Sequence, residues 1–107
     1  MANTFTAKNA ANGQVAATTT TIYTVPASTV GYRPCVTFFN TNASSQTVIL
    51  SYLPNGGSNR KIRQFILAQN ESAVFDERML LNAGDALQAI SSNASAVDYT
   101  VSLVEEA

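Results

Sequence analysis

The chain has 107 residues, of which 46% are hydrophobic and 12% charged, so it has the size and composition of one ordinary domain. Six basic and seven acidic residues give a formal charge of -1, and this balance provides no electrostatic reason to expect a nucleic-acid partner. Histidine and tryptophan are absent. Because catalysis draws mainly on histidine, reactive cysteine and closely placed carboxylates, we expect a protein that is not an enzyme.

The opening segment is polar, rich in Asn and Ala, and has no apolar period. We expect residues 1–13 to form an arm that becomes ordered only against another surface, such as a neighbouring subunit, and residues 14–107 to form a single domain. No stretch near Met1 resembles a signal peptide, and the longest apolar run is Phe65–Ala68. We therefore expect synthesis in a cytoplasm, without membrane insertion.

From Val15 onward, apolar and polar residues alternate in short segments separated by turn-forming residues such as Asn40–Ser45 and Pro54–Asn59. This alternation is typical of half-buried strands. It predicts strands over Val15–Val25, Tyr32–Asn40, Val48–Leu53, Arg60–Leu67, Ala73–Phe75, Met79–Leu81, Ala86–Ser91 and Ala96–Val104.

Seven or eight strands with turns at roughly ten-residue spacing, and no amphipathic helix, predict an all-β fold. The expected architecture is a two-sheet antiparallel sandwich of the jelly-roll-like or Greek-key type, with the short N-terminal arm outside it. The order of the strands stays open, because the loop lengths permit both hairpins and crossings between sheets.

The residues that support catalysis or metal binding are few. Cys35 lies beside Val36 and Phe38 in an alternating strand, so we predict a buried small hydrophobe rather than a nucleophile. Dispersed carboxylates argue against a hydrolase that uses a carboxylate pair. A calcium site built from Asn82, Asp85 or Asp76 stays open, and no cofactor is expected.

The chain has a single concentration of positive charge, at Arg60, Lys61 and Arg63. Such cations either keep an exposed strand from aggregating or contact an acidic partner surface. Three charges without a stacking platform make nucleic acid a poor candidate. Four tyrosines either line a sugar-binding groove or lie at the rim of the core. Strands with two apolar faces suggest an oligomer interface, with Tyr52, Ile62 and Phe65 as candidates.

Four segments resemble the small all-β virion proteins of tailed bacteriophages: Thr21–Ala27, Phe39–Val48, Leu81–Gln88 and Val97–Glu105. The resemblance spans about residues 18–105 and lies in strand and turn signatures. It implies a capsid decoration (cement) protein, made in the bacterial cytoplasm, that binds the major capsid protein on the outer shell of the virion as a homotrimer and stabilises it. A small tail, neck or fibre component is the alternative, and a carbohydrate-binding module a more distant one.

We take four cations as candidate capsid contacts, namely Lys8, Arg60, Lys61 and Arg63. They lie in the polar arm and in the basic cluster, which are outside the segments of resemblance and are therefore where specificity for one virion surface is expected. Neither a nucleic acid nor a membrane is expected as a partner.

Overall fold

The computed structural model describes residues 4–107, and within that range it contains nine β-strands and no helix. Accordingly, no helix in this part of the chain is long and apolar enough to cross a bilayer. The strands are β1 (Phe5–Gln14), β2 (Thr20–Thr24), β3 (Val30–Asn40), β4 (Gln46–Leu53), β5 (Arg60–Leu67), β6 (Ser72–Asp76), β7 (Leu80–Leu81), β8 (Ala86–Ser91) and β9 (Val97–Glu106).

Two antiparallel sheets form the sandwich. The five-stranded sheet has the order β1-β9-β3-β6, with β7 paired to the other half of β3, and the four-stranded sheet has the order β2-β8-β4-β5. The first strand thus pairs with the last, β2 with β8, β3 with β6 and β4 with β5. This nested pairing is that of a jelly roll. The prediction of an all-β, jelly-roll-like sandwich is confirmed.

Alternation within the strands builds the core between the two sheets. Val36 and Phe38 of β3 are fully buried, as are Val48 and Leu50 of β4 across the interior. Phe38 also lies against Phe65, with ring centroids 5.8 Å apart. Because side chains of a strand alternate between its two sides, the residues between these core positions face outward and define the two outer faces of the sandwich.

The first strand differs from the sequence expectation. Phe5–Gln14 pairs with β9 along its whole length, so the expectation that this segment orders only against something else is wrong for these residues. No side chain of β1 is buried. This strand needs no alternation of apolar and polar residues, because backbone hydrogen bonds to β9 hold it in place without burial of its side chains. Residues 1–3 of the expected arm lie outside the described residues.

The predicted second strand is shorter than expected. Only Thr20–Thr24 pairs with β8. Val15, which belongs to the same alternating pattern, instead inserts into the core, with its N–H donating to the Val97 carbonyl at 2.8 Å. Residues 16–19 then cross from one sheet to the other.

A bulge in the middle of β3 changes which of its side chains face the core. The pairing with β9 shifts between Tyr32 and Cys35, and Arg33 takes a φ of 51°. Val36 and Phe38 occupy the core, so Cys35 lies on the outer face between Ser102 and Asp76. It is half-buried on this outer face, so the prediction of a buried position in the core is wrong.

Candidate interaction surface

The outer face of the five-stranded sheet follows from the burial of β9. Val101, Leu103 and Glu105 are buried, so Val104 and Glu106 point away from the core. The residue pairs between strands then show which residues of the other strands lie on the same face. Residues on this side of the neighbouring strands are those opposite the outward positions of β9 or of β3: Phe5, Ala7, Asn9, Asn12, Gln14, Val30, Tyr32, Cys35, Thr37, Phe39, Ser72, Val74, Asp76 and Leu80.

Large hydrophobic side chains are exposed on this face. Six such side chains are exposed among residues 4–107, and four of them lie here. Phe5 is 64% exposed and Leu80 53%, although each lies on a strand that is paired in the sheet. The four are Phe5, Phe39, Val74 and Leu80; the other two, Ile62 and Ile66, belong to β5 of the opposite sheet. Exposed apolar side chains mark an interaction site where they adjoin one another.

At one end of the face, four residues from four strands form what we call the apolar patch: Phe5, Tyr32, Leu80 and Val104. Val104 lies opposite Tyr32, and Tyr32 lies opposite Leu80. The rings of Phe5 and Tyr32 are 6.4 Å apart. The Tyr32 hydroxyl donates to Glu106 Oε1 at 2.5 Å, and this hydrogen bond raises the pKa of Tyr32. The aromatic ring at the centre of the patch is therefore held in place and neutral.

Next to the patch lies a hollow of about 490 Å³, lined by Tyr32, Arg33, Arg78, Met79 and Leu80. It forms where the bulge of β3 faces the gap between β6 and β7, and the Arg33 N–H donates to the Met79 carbonyl at 2.9 Å. Arg33 pairs with Asp76 at 3.5 Å, whereas Arg78 has no ion pair or hydrogen bond within residues 4–107. Aromatic residues, Met and Arg are the types enriched in protein interfaces.

Of the four predicted capsid-contact cations, two form ion pairs within residues 4–107 and two do not. Lys8 pairs with Glu105 at 3.1 Å, and Arg63 pairs with Glu77 and lies 6.0 Å from the centre of the Phe75 ring. The side chains of Arg60 and Lys61 are exposed, and neither side chain has an ion pair or hydrogen bond in the part of the chain that the structure describes. Two of the four cations are therefore available to a partner without breaking a contact within the chain.

The three residues predicted for an oligomer interface lie in different surroundings. Phe65 packs against the core beside Phe38. The Tyr52 hydroxyl donates to Asp85 Oδ2 at 2.8 Å. Ile62 lies at the register shift of β5 and is 37% exposed. Of this set, Ile62 alone is exposed.

Asp85 organises the loops at the end of the sandwich that also holds the apolar patch. It is buried, yet its carboxylate accepts hydrogen bonds from the Asn55 N–H, the Asn82 N–H and the Tyr52 hydroxyl at 2.8–2.9 Å. Burial opposes ionisation, but these three donors together outweigh it and lower the pKa of Asp85. Gly84 is needed beside it, because its φ is 84° and a Cβ would lie 2.6 Å from Asn55 Nδ2.

The calcium site that the sequence left open is not assembled. Both oxygens of Asp85 already face donors, and Asp76 pairs with Arg33 instead. Among residues 4–107, no group of three or more His, Cys, Asp or Glu side chains is placed to hold a metal ion. The Asp85 cluster thus serves to fix loop conformation.

Comparisons with known proteins bear on the fold. No family model matches the sequence, and no curated protein matches it. Among solved structures, a chain of the infectious bursal disease virus Gx strain superimposes with a TM-score of 0.60 at 12% identity. The match covers 99% of this chain but only 33% of that one, so the present chain spans a third of its length.

Two further structures match over most of their own length. One is the coat protein of tobacco streak virus, with a TM-score of 0.55, 14% identity, and coverage of 98% of this chain and 85% of that one. The other comes from Bacillus endospore appendages, described as a family of disulfide-linked pili, with a TM-score of 0.57, 15% identity, and coverage of 97% and 85%. The fold is a jelly roll like that of viral coat proteins. At these identities the likeness concerns the fold alone.

Proposed function

We propose that this chain is a virion structural protein of a tailed bacteriophage, a capsid decoration protein that binds the outer shell as a homotrimer and stabilises it. The observation that supports this best is the apolar patch, because a folded domain leaves Phe5 and Leu80 exposed only at a cost unless a partner covers them. The jelly-roll fold, shared with a viral coat protein, is compatible with the same role.

In this proposal the apolar patch lies between copies of the chain. Interfaces between permanently associated copies are more apolar than contacts between proteins that fold separately. Three copies joined in this way would present three sets of contacts to the shell. Binding through several linked sites raises the effective affinity by about 10² to 10⁴ without any new contact, so modest single-site contacts suffice for durable attachment.

Arg60 and Lys61 are the proposed contacts to the major capsid protein, on an acidic region of the shell. They are exposed and lie outside the apolar patch, so they remain accessible when the patch is covered. In this proposal the protein is located on the virion surface and synthesised in the bacterial cytoplasm, and neither nucleic acid nor membrane takes part.

The deciding experiment measures mass and shell binding with a matched pair of variants. Leu80→Ser removes an apolar side chain from the patch, whereas Ile66→Ser removes one that is 68% exposed on the opposite sheet. We expect the parent and Ile66→Ser to be trimers in solution and to bind undecorated capsids, and Leu80→Ser to dissociate and bind weakly. Absence of capsid binding by the parent at stoichiometric levels and near-physiological salt would refute the decoration role.

The cationic contact is tested separately. The double variant Arg60→Ala/Lys61→Ala should keep the mass of the parent and lose shell affinity, with a weaker dependence of binding on salt. The charge-conserving variant Arg60→Lys/Lys61→Arg is the control and should retain most of the binding. Equal binding by all three proteins would move the shell contact elsewhere on the surface.

The alternatives make different predictions. A tail, neck or fibre component would be found at a unique vertex in low copy number, whereas a decoration protein covers the shell. The tyrosines give little support to a carbohydrate-binding module, because the hydroxyls of Tyr23, Tyr32 and Tyr52 all donate to carboxylates of the chain itself. A glycan array that shows specific binding would restore that alternative.

A further inference from the structure

The first strand is attached differently from the other long strands. Five residues of β3 and four of β9 are buried, but none of the ten residues of β1 is, and only Ala10 and Ala11 are half-buried. Pairing with β9 extends to the chain end, where Thr4 and Ala107 exchange two backbone hydrogen bonds of 2.9 and 3.0 Å. Backbone hydrogen bonds therefore hold β1, with little contribution from apolar burial.

Side chains nevertheless specify where β1 lies on β9. Lys8 pairs with Glu105 at 3.1 Å, and Gln14 donates to Asp98 Oδ1 at 3.1 Å. Gly13 packs against the Tyr99 ring, and the register shifts at Asn9/Ala11. These features at both ends of the strand fix a single register. The edge of β9 that β1 covers is thus a site that matches one sequence, and every copy of the chain has that sequence.

The connection to the rest of the domain allows the strand to leave as a unit. After β1 the chain has one buried side chain, Val15, and a backbone hydrogen bond, donated by the Ser91 N–H to the Ala16 carbonyl at 3.0 Å; residues 17–19 are exposed. Extended, the chain from Val15 to Thr20 reaches about 17 Å. A neighbouring copy whose β9 edge lies within this reach can therefore receive Val15 and β1 without disturbing β2.

We propose that residues 4–15 exchange between copies, so that β1 of one copy pairs with β9 of the next while Val15 fills the next copy's core. Exchange preserves every contact of the strand and costs only the entropy of association. Holding copies together on a surface reduces that cost. The proposal does not depend on the decoration role, because exchange is measured without any shell.

The test uses a disulfide that closes only when β1 and β9 belong to different molecules. Asn12 and Thr100 lie directly opposite each other, as do Ala7 and Val104. In a Cys35→Ser background, one protein carries Asn12→Cys and a second, longer tagged protein carries Thr100→Cys. The two are mixed at high concentration, oxidised and separated on a denaturing, non-reducing gel; the Ala7→Cys and Val104→Cys pair is run in the same way.

We expect a disulfide-linked heterodimer several-fold more abundant than either homodimer. The control is the single chain that carries both cysteines, which at low concentration should close the bond within itself and so show that the geometry permits it. If the double-cysteine chains close internally and the mixture gives no heterodimer above the homodimer level, exchange does not occur. Shell binding by the parent without heterodimer formation would leave the decoration role standing and overturn exchange alone.

Discussion

At the scale of single residues, tyrosine–carboxylate hydrogen bonds recur. The most buried of them joins the two sheets, because Tyr23 belongs to β2 and its acceptor, Glu105, to β9, with 2.5 Å between their oxygens. Burial and this hydrogen bond raise the pKa of Tyr23. The same hydrogen bond is the largest cause of the lowered pKa of Glu105; burial opposes it and Lys8 supports it. One buried carboxylate thus connects β1, β2 and β9.

Replacing Tyr23 by Phe should destabilise the fold. The change removes a hydrogen bond to a buried charged acceptor, so we expect a loss of about 2 kcal/mol in the free energy of unfolding, measured by urea denaturation at pH 7. Tyr32→Phe is the control: its hydroxyl also donates to a carboxylate, but at the surface, and it should cost less. Equal stability of Tyr23→Phe and the parent would contradict the bridging role.

Acidification should destabilise the fold through the same carboxylates. The folded-state pKa values of Glu105 and Asp85 lie below their ordinary values of 4.5 and 3.8, so the unfolded chain binds protons more readily. Their contribution to stability is present above about pH 4.5 and is lost as the pH falls through the folded-state values. Urea midpoints measured from pH 7 down to pH 2 should fall in that window, and Tyr23→Phe should fall less steeply. A flat profile would contradict the assignment.

The Asp85 cluster gives a second stability prediction. Asp85→Ala leaves two backbone N–H groups and the Tyr52 hydroxyl without their acceptor, and we expect a loss of about 3 kcal/mol. Tyr52→Phe removes one donor and keeps the other two hydrogen bonds, so it should cost about 1 kcal/mol. Thermal denaturation of the Asp85→Ala and Tyr52→Phe variants measures both losses of stability. Similar losses for the two variants would show that the backbone donors do not depend on Asp85.

At the scale of elements, β1 and β3 lie on either side of β9 and differ in how they are held. Both pair with β9 over most of their length, but β3 contributes Val36 and Phe38 to the core, whereas β1 contributes no buried side chain. Segments with few buried apolar contacts open locally at lower cost than core strands. We therefore expect β1 to open locally and β3 to open only with the whole domain.

Hydrogen exchange should reveal that difference. We expect backbone amides of β1 to be protected at least about tenfold less than amides of β3 that pair with β9. Mass spectrometry of peptides covering the two strands measures this directly, and β8, which is paired on both sides, serves as the protected reference. Equal protection of β1 and β3 would show that β1 opens only by global unfolding.

At the scale of the whole molecule, the apolar patch and the exposed side chains of Arg60 and Lys61 lie in different places. The patch belongs to the outer face of the five-stranded sheet, and Arg60 and Lys61 begin β5 at an edge of the four-stranded sheet. A molecule built in this way can contact copies of itself and a second, charged partner at the same time. The extents of 52 × 26 × 20 Å give it long lateral surfaces for such contacts.

Mass measurement tests the proposed assembly. With a chain of 11.3 kDa, a homotrimer has a mass of about 34 kDa. Light scattering at micromolar concentration should give this value for the parent and one third of it for Leu80→Ser. If the parent stays monomeric at these concentrations, the apolar patch is not the interface of a trimer.

Local chemistry explains how much of the fold could be predicted. Alternation in β4, β5, β8 and β9 predicted strands close to their observed bounds. In β9, for example, Val101 and Leu103 are buried while Ser102 between them is exposed. The predicted sandwich followed from that repetition together with the turn residues between strands. β1 has no alternation because it has no buried face, and a periodicity argument cannot detect a strand held by its backbone.

The sites were harder to predict for a related reason. Arg60 and Lys61 were visible in the sequence as part of a charge cluster. The sequence could not show that Arg63 forms an ion pair with Glu77, or Lys8 with Glu105. Phe5, a lone aromatic in a polar segment, was the one signal of the apolar patch; Tyr32, Leu80 and Val104 join it only through strand pairing.

The sequence by itself determined the all-β class, because hydrophobic alternation and turn chemistry act over a few residues and need no knowledge of the partner strand. The tertiary structure alone decided the strand order, the outward position of Cys35 and the assembly of the patch. Each of these depends on pairing between segments far apart in the chain, and a bulge of one or two residues is enough to change which side chains share a face.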